Sequence, residues 1–159
     1  LEDEHKLDAS YELILYVAAL LHEIGMFVSV ASHHKHSLYL IINSELFGLR
    51  ARDLVLIGLV ARYHRRSSPK PSHEQYATLD REQRIAVAKL AAILRVADAL
   101  DRSRSQRIQR LECQREDGRL LVAIPDVDDL SLEELALKEK GPLFEEIFGM
   151  PVLLRTVAS

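Results

Sequence analysis

The 159 residues contain no tryptophan, a single cysteine and only six glycines, and aromatic residues make up 6% of the chain. So few aromatics argue against a stacking platform for single-stranded nucleic acid. One cysteine, Cys113, excludes an internal disulfide and fits a reducing compartment, so a cytoplasmic location is expected. The glycines are scattered, which leaves no glycine-rich phosphate loop. No apolar run reaches the roughly 18 residues of a membrane span without a charge or a histidine. No signal-like segment stands at the N-terminus, and no membrane partner is expected. The net charge of −3 gives no global case for nucleic acid, and none is expected. What is present is a globular composition, 48% hydrophobic and 28% charged, enough for one domain with a small appendage. The chain starts Leu1-Glu2-Asp3 without a methionine, as a fragment or a processed protein would.

The pattern is helical over about 1–107. Asp8 or Ser10 caps a first predicted helix that runs to about Glu23 and stops at Gly25. Its stretch from Leu13 to Leu21 is apolar nearly all round, which predicts a central, buried helix. Further helices are predicted over about Lys35–Leu46, Ala51–Arg65 and Arg81–Ser103, the last opened by a capping box of Asp80 and Gln83. Pro69 and Pro71 break the chain between the last two. From 108 to 159 the pattern changes. Ile108–Gln114 and Leu120–Ile124 read as strands joined by the turn signal Glu116-Asp117-Gly118. Ser131 and Glu134 predict a capping box for a helix, Gly141-Pro142 interrupts it, and Pro151–Val157 reads as a last strand. The expected architecture is a mainly α bundle, 1–107, followed by a small β-β-α-β subdomain, 108–159.

Histidine is the side chain that titrates near neutrality and the commonest metal ligand, and three of the seven stand at 33, 34 and 36. His22 ends the first predicted helix and is followed by Glu23, an acid at a helix C-terminus, where a cation is wanted. His36 begins the second helix and His64 ends the third. Asp98 lies on the apolar face of the long helix and needs a partner. Taken singly, each has an ordinary explanation. His22 can be a satisfied core histidine, Asp98 can pair with Arg95 or Arg102 at helical spacing, and the cluster at 33–36 can be a solvated loop. A second group, His33, His34, Lys35, Arg62, Arg65, Arg66 and Lys70, comes from two loops and forms a candidate polyanion site. Lys35 and His36 also start a helix, where free N–H groups attract phosphate, and arginine presents a planar fork to phosphate oxygens.

The phrases Leu21-His22-Glu23-Ile24-Gly25, His33-His34-Lys35-His36-Ser37, Ala61-Arg62-Tyr63-His64-Arg65-Arg66 and Leu94-Arg95-Val96-Ala97-Asp98-Ala99-Leu100-Asp101 resemble the HD superfamily of metal-dependent phosphohydrolases. In detail they look like the C-terminal half of the exopolyphosphatase/guanosine pentaphosphate phosphatase family, whose ending Phe144-Glu145-Glu146-Ile147-Phe148-Gly149 is similar to. The resemblance implies an HD-like helical bundle. It also implies a parent enzyme in which N-terminal actin-like domains, absent from these residues, use Mg²⁺ to release terminal phosphate from polyphosphate or guanosine pentaphosphate. No catalytic residue of that reaction is expected here. The module's expected roles are to bind the polyanion and to support a homodimer.

The resemblance maps HD-type metal ligands onto His22, Glu23, His36, His64 and Asp98. Position 23 carries Glu where the superfamily has Asp, and the only upstream histidine, His5, falls in an apparent linker. The site is therefore expected to be vestigial. Two rivals stand beside this reading. One is a stand-alone HD phosphohydrolase acting on a nucleotide through its own metal. The other is a purely structural or dimerisation module.

Overall fold

The computed structural model describes residues 5–65 and 67–157. Arg66 of the candidate polyanion set lies outside them. The described residues are mainly α-helical with one small sheet, and they form two compact units, 6–94 and, with His5, 95–157. His5, expected in a linker, is helical. The sequence division at 107/108 marks the change from a helical pattern to strands, whereas the two units divide within the long helix.

In the first unit, α1 (Ser10–Leu21) is followed by a one-turn 3-10 segment (Ile24–Phe27), α2 (His33–Ile42), α3 (Ala51–Arg62) and a single turn, α4 (Glu74–Ala77). The long α5 (Arg81–Leu100) then leads into the second unit. The central helix is α3 and not α1. Leu54 and every residue from Leu56 to Ala61 are buried, the all-round burial of a core helix. On α1 only Ile14 and Ala18 are buried, while Leu13, Tyr16 and Leu20 are 51%, 63% and 66% exposed. Apolar composition licensed burial of α1, but within this unit only one of its sides meets a neighbour. Gly58 lets α2 and α3 approach closely, since a Cβ there would stand 2.8 Å from Leu38 Cδ1 and 3.1 Å from Ile42 Cγ2.

The start of α5 is the capping box expected from the sequence. The Gln83 N–H donates to Asp80 Oδ1 at 2.9 Å, and the Asp80 N–H donates to Gln83 Oε1 at 3.2 Å. The 18-residue window Ser10–Phe27 is apolar enough to cross a membrane by composition. Its α-helical part is only the 12 residues of α1, about 18 Å long against a hydrocarbon core of roughly 30 Å.

In the second unit, β1 (Glu112–Glu116) and β2 (Arg119–Pro125) form an antiparallel hairpin, and β3 (Val152–Val157) pairs parallel to β2. The hairpin turns at Asp117 and Gly118, both with positive φ, the pattern of a two-residue hairpin loop. Between β2 and β3 run α6 (Ser131–Lys140) and α7 (Pro142–Phe148), the crossover that a parallel pair requires. The predicted box of Ser131 and Glu134 is not what opens α6. Asp129 Oδ1 accepts both the Ser131 N–H at 2.9 Å and the Ser131 hydroxyl at 2.5 Å. Ser131 is thus already inside the helix, and the carboxylate two residues upstream takes the capping role.

Candidate functional site

The site begins with a chain crossing. Behind α1, the sequence His22-Glu23-Ile24-Gly25 turns so sharply that a Cβ on Gly25 would stand 2.1 Å from the His33 carbonyl oxygen and 2.4 Å from the Ser37 nitrogen. Only glycine lets the turn lie against the first turns of α2. Ser37, fully buried, ties the crossing together. Its hydroxyl donates to the His22 carbonyl at 2.8 Å and accepts the Gly25 N–H at 2.9 Å.

This crossing brings three histidines together. His22 is the C-cap of α1, His33 is the first residue of α2, and His64 follows the end of α3. The rings of His22 and His64 meet edge to face at 4.9 Å, and those of His33 and His64 lie 5.3 Å apart. Each Nδ1 points at a backbone carbonyl: His22 at Ala19 (2.7 Å), His33 at Val30 (3.2 Å) and His64 at Ala61 (2.5 Å). A carbonyl can only accept, so each Nδ1 carries the hydrogen and each Nε2 carries the lone pair of the neutral ring. This is the way metal-bound histidines are oriented by a second hydrogen bond.

The Nε2 atoms of His33 and His64 face each other at 3.3 Å. At that distance a hydrogen shared between the two nitrogens, or a metal bound to both, would satisfy them. Two imidazole nitrogens on one tetrahedral ion, each about 2.1 Å from it, stand roughly 3.4 Å apart. His33 and His64 are thus spaced as two ligands of a divalent transition ion would be, and nitrogen donors favour such an ion over Mg²⁺.

Of the metal set expected from the sequence, His22 and His64 stand in this cluster. The histidine that α2 brings to His64 is His33, expected on the anion list, while half-buried His36 stands one turn further along. Glu23 caps the 3-10 turn through its carbonyl, which accepts the Met26 N–H at 2.8 Å. Asp98 belongs to the second unit, where its carboxylate pairs with Lys140 of α6. This partner lies 42 residues away in sequence, beyond the reach of helical spacing.

A second cluster is cationic. Its centre is His34, whose pKa is lowered to about 4 by burial and then by His33, Arg65, Arg62 and Lys35. The ring is therefore neutral at pH 7. His34 Nδ1 and Arg62 Nε are buried with no hydrogen-bond partner. Nearby, Tyr63 is fully buried, and burial pushes its pKa up to about 12. Its hydroxyl lies 2.6 Å from His73 Nδ1. The His73 pKa is lowered by burial and then by Arg62, Lys70 and Lys35. Lys35, Arg62, Arg65 and Lys70 of the expected polyanion set thus act on this one region. His73 joins them although sequence reading passed over it. The signal was the proline-bounded loop Lys70-Pro71-Ser72-His73, closed by the His73 N–H donating to the Lys70 carbonyl at 2.9 Å.

Residues 2–140 match the family model described as Ppx/GppA phosphatase, domain III. A similar curated protein is the guanosine-5'-triphosphate,3'-diphosphate pyrophosphatase of Pseudoalteromonas translucida (strain TAC 125), 38% identical over 52 residues. That match covers 33% of this chain and 10% of the relative. With the family model spanning most of the chain, the protein belongs to the Ppx/GppA phosphatase family, in the region of its domain III.

Proposed function

We propose that this chain is the anion-binding C-terminal module of an exopolyphosphatase-type phosphohydrolase. It holds a condensed phosphate, inorganic polyphosphate or guanosine pentaphosphate, while N-terminal domains outside these residues carry out the Mg²⁺-dependent hydrolysis. The observation that carries this reading is the cationic cluster. Lys35, Arg62 and Arg65 converge on a neutral His34, and the guanidinium Nε of Arg62 is buried without a partner. Buried donors cost free energy when unpaired, and a phosphate oxygen would satisfy them. The chain as a whole is acidic, so the local excess of positive charge is a property of this cluster. In the same reading the protein is cytoplasmic, and a second copy covers the exposed apolar stripe Leu13, Tyr16 and Leu20 of α1.

The test is a titration with polyphosphate at several salt concentrations. Neutralising Lys35, Arg62 and Arg65 together is expected to flatten the slope of log Kd against log salt by about two. An unchanged slope and affinity would support the purely structural rival.

A second reading is favoured by one specific observation, the 3.3 Å approach of the His33 and His64 Nε2 atoms. In it His22, His33 and His64 hold a divalent transition ion, which would polarise a bound phosphate. Elemental analysis of the purified chain after incubation with Mn²⁺, Fe²⁺ or Zn²⁺ tests it. Near-stoichiometric retention that His64→Ala abolishes supports the metal, whereas no retention leaves a shared proton between the two rings.

A further inference from the structure

The His73 side chain is held in place by a short hydrogen bond to the Tyr63 phenol. The Lys70 backbone N–H donates to the Tyr63 phenol oxygen. The phenol hydrogen is then available to His73 Nδ1, 2.6 Å away. With the phenol donating, Nδ1 accepts and the hydrogen of the neutral ring sits on Nε2. The two rings stack at 5.6 Å, and Tyr63 is fully buried, so the imidazole rests against a fixed support. The turn from Lys70 to His73, closed by a 2.9 Å backbone bond, fixes the loop on the other side.

The charged groups that act on the ring are cations, Arg62 from the end of α3, Lys70 from the loop and Lys35 from α2, and the Tyr63 phenol meets it directly. Glu74, the next residue, is exposed and opens α4. His73 itself is half-buried, so one of its edges reaches solvent.

We propose that His73 is a phosphate-binding residue of the cationic cluster: its Nε2–H donates to an oxygen of a condensed phosphate, and the ring takes up a proton from solvent as the anion settles. The inference rests on the anion-binding reading. An anion among Lys35, Arg62 and Lys70 cancels the field that keeps the ring neutral, so the charged form becomes favoured. Protonation reverses the contact with Tyr63, because Nδ1–H then donates to the phenol oxygen. Binding is therefore coupled to proton uptake and tightens as the pH falls toward 6.

The test is calorimetric titration of the chain with tripolyphosphate at pH 6.5, in two buffers of different ionisation enthalpy. His73→Ala, His73→Gln and Arg62→Ala/Arg65→Ala are titrated alongside wild type, all matched for thermal stability. His73→Ala is expected to weaken binding about tenfold, the loss of a hydrogen bond to a charged group, and to abolish proton uptake. His73→Gln, which keeps an N–H donor, is expected to recover most of the affinity but none of the uptake. If His73→Ala binds as wild type while Arg62→Ala/Arg65→Ala is weakened, the role of His73 is overturned and the anion reading stands. If neither variant changes binding, both are overturned. A measurement on the unaltered chain guards against misfolded variants: the His73 ring resonances, followed by NMR against pH, must show a higher pKa with tripolyphosphate than without, and an unchanged pKa overturns the proposal.

Discussion

Single residues decide whether the site exists at all. Gly25 is the clearest case, because its missing Cβ is what lets the His22–Gly25 turn rest on the backbone of His33 and Ser37. Both clashing atoms belong to backbone and cannot swing away. Gly25→Ala is expected to destabilise the protein by about 3 kcal/mol or more, read as a lower urea midpoint with an unchanged slope. Ser37→Ala is milder in shape, yet it strips the buried Gly25 N–H of its acceptor. A loss of about 1–3 kcal/mol is expected. In either variant His22 and His33 lose their register, and any metal or anion affinity falls with stability.

His73 makes a signed prediction on stability. Its pKa is lowered in the folded protein, first by burial and then by the neighbouring cations, so the unfolded chain binds its proton more readily. The stability it contributes is complete above the unfolded pKa of about 6.5 and is lost as the pH falls below that value. His73→Asn is expected to flatten the acid side of the stability curve below about pH 6.5, measured by urea melts at each pH. A variant curve parallel to wild type would show that the titrating group lies elsewhere.

Elements show how much was legible in the sequence and where it stopped. The capping box at Asp80 and Gln83 and the turn at Asp117-Gly118 are local chemistry, and both stand where the sequence put them. Helix ends were read to within a few residues, which placed His22 and His64 at two of them. Which α2 histidine meets His64 depends on the 3-10 turn at Ile24–Phe27 and on α2 opening at His33, two residues earlier than periodicity suggested. No local signal carries that. Partners distant in sequence were equally invisible: Asp98 meets Lys140, and Arg107 meets Glu133 at 2.6 Å. Glu133 is fully buried and its Oε1 has no partner, so the carboxylate depends on Arg107. Arg107→Ala is expected to cost about 3 kcal/mol by leaving a buried charge uncompensated. Arg107→Ala/Glu133→Leu is expected to recover much of that loss, and a double variant as unstable as the single would show that the pair does not act as a unit.

At the scale of the whole molecule, the misjudged helix is informative. Composition alone made α1 look central, but α3 holds the core and α1 keeps Leu13, Tyr16 and Leu20 exposed. These positions repeat every three or four residues, so they form one stripe along the helix. Exposed apolar residues scattered singly need no explanation, but a stripe at this spacing is a surface that water disfavours. In the dimer we propose, two copies of α1 pack through it, an isologous contact in which each stripe meets its own equivalent. Replacing Tyr16 and Leu20 with glutamate places like charges at the centre of that contact and leaves buried Ile14 and Ala18 untouched. Light scattering on the purified chain is expected to give the mass of two copies for wild type and of one for the variant, with matched circular dichroism. A wild-type chain that stays monomeric at the highest soluble concentration would remove the dimer from the reading, while the cationic cluster, built from α2, α3 and the loop after it, would keep its own test.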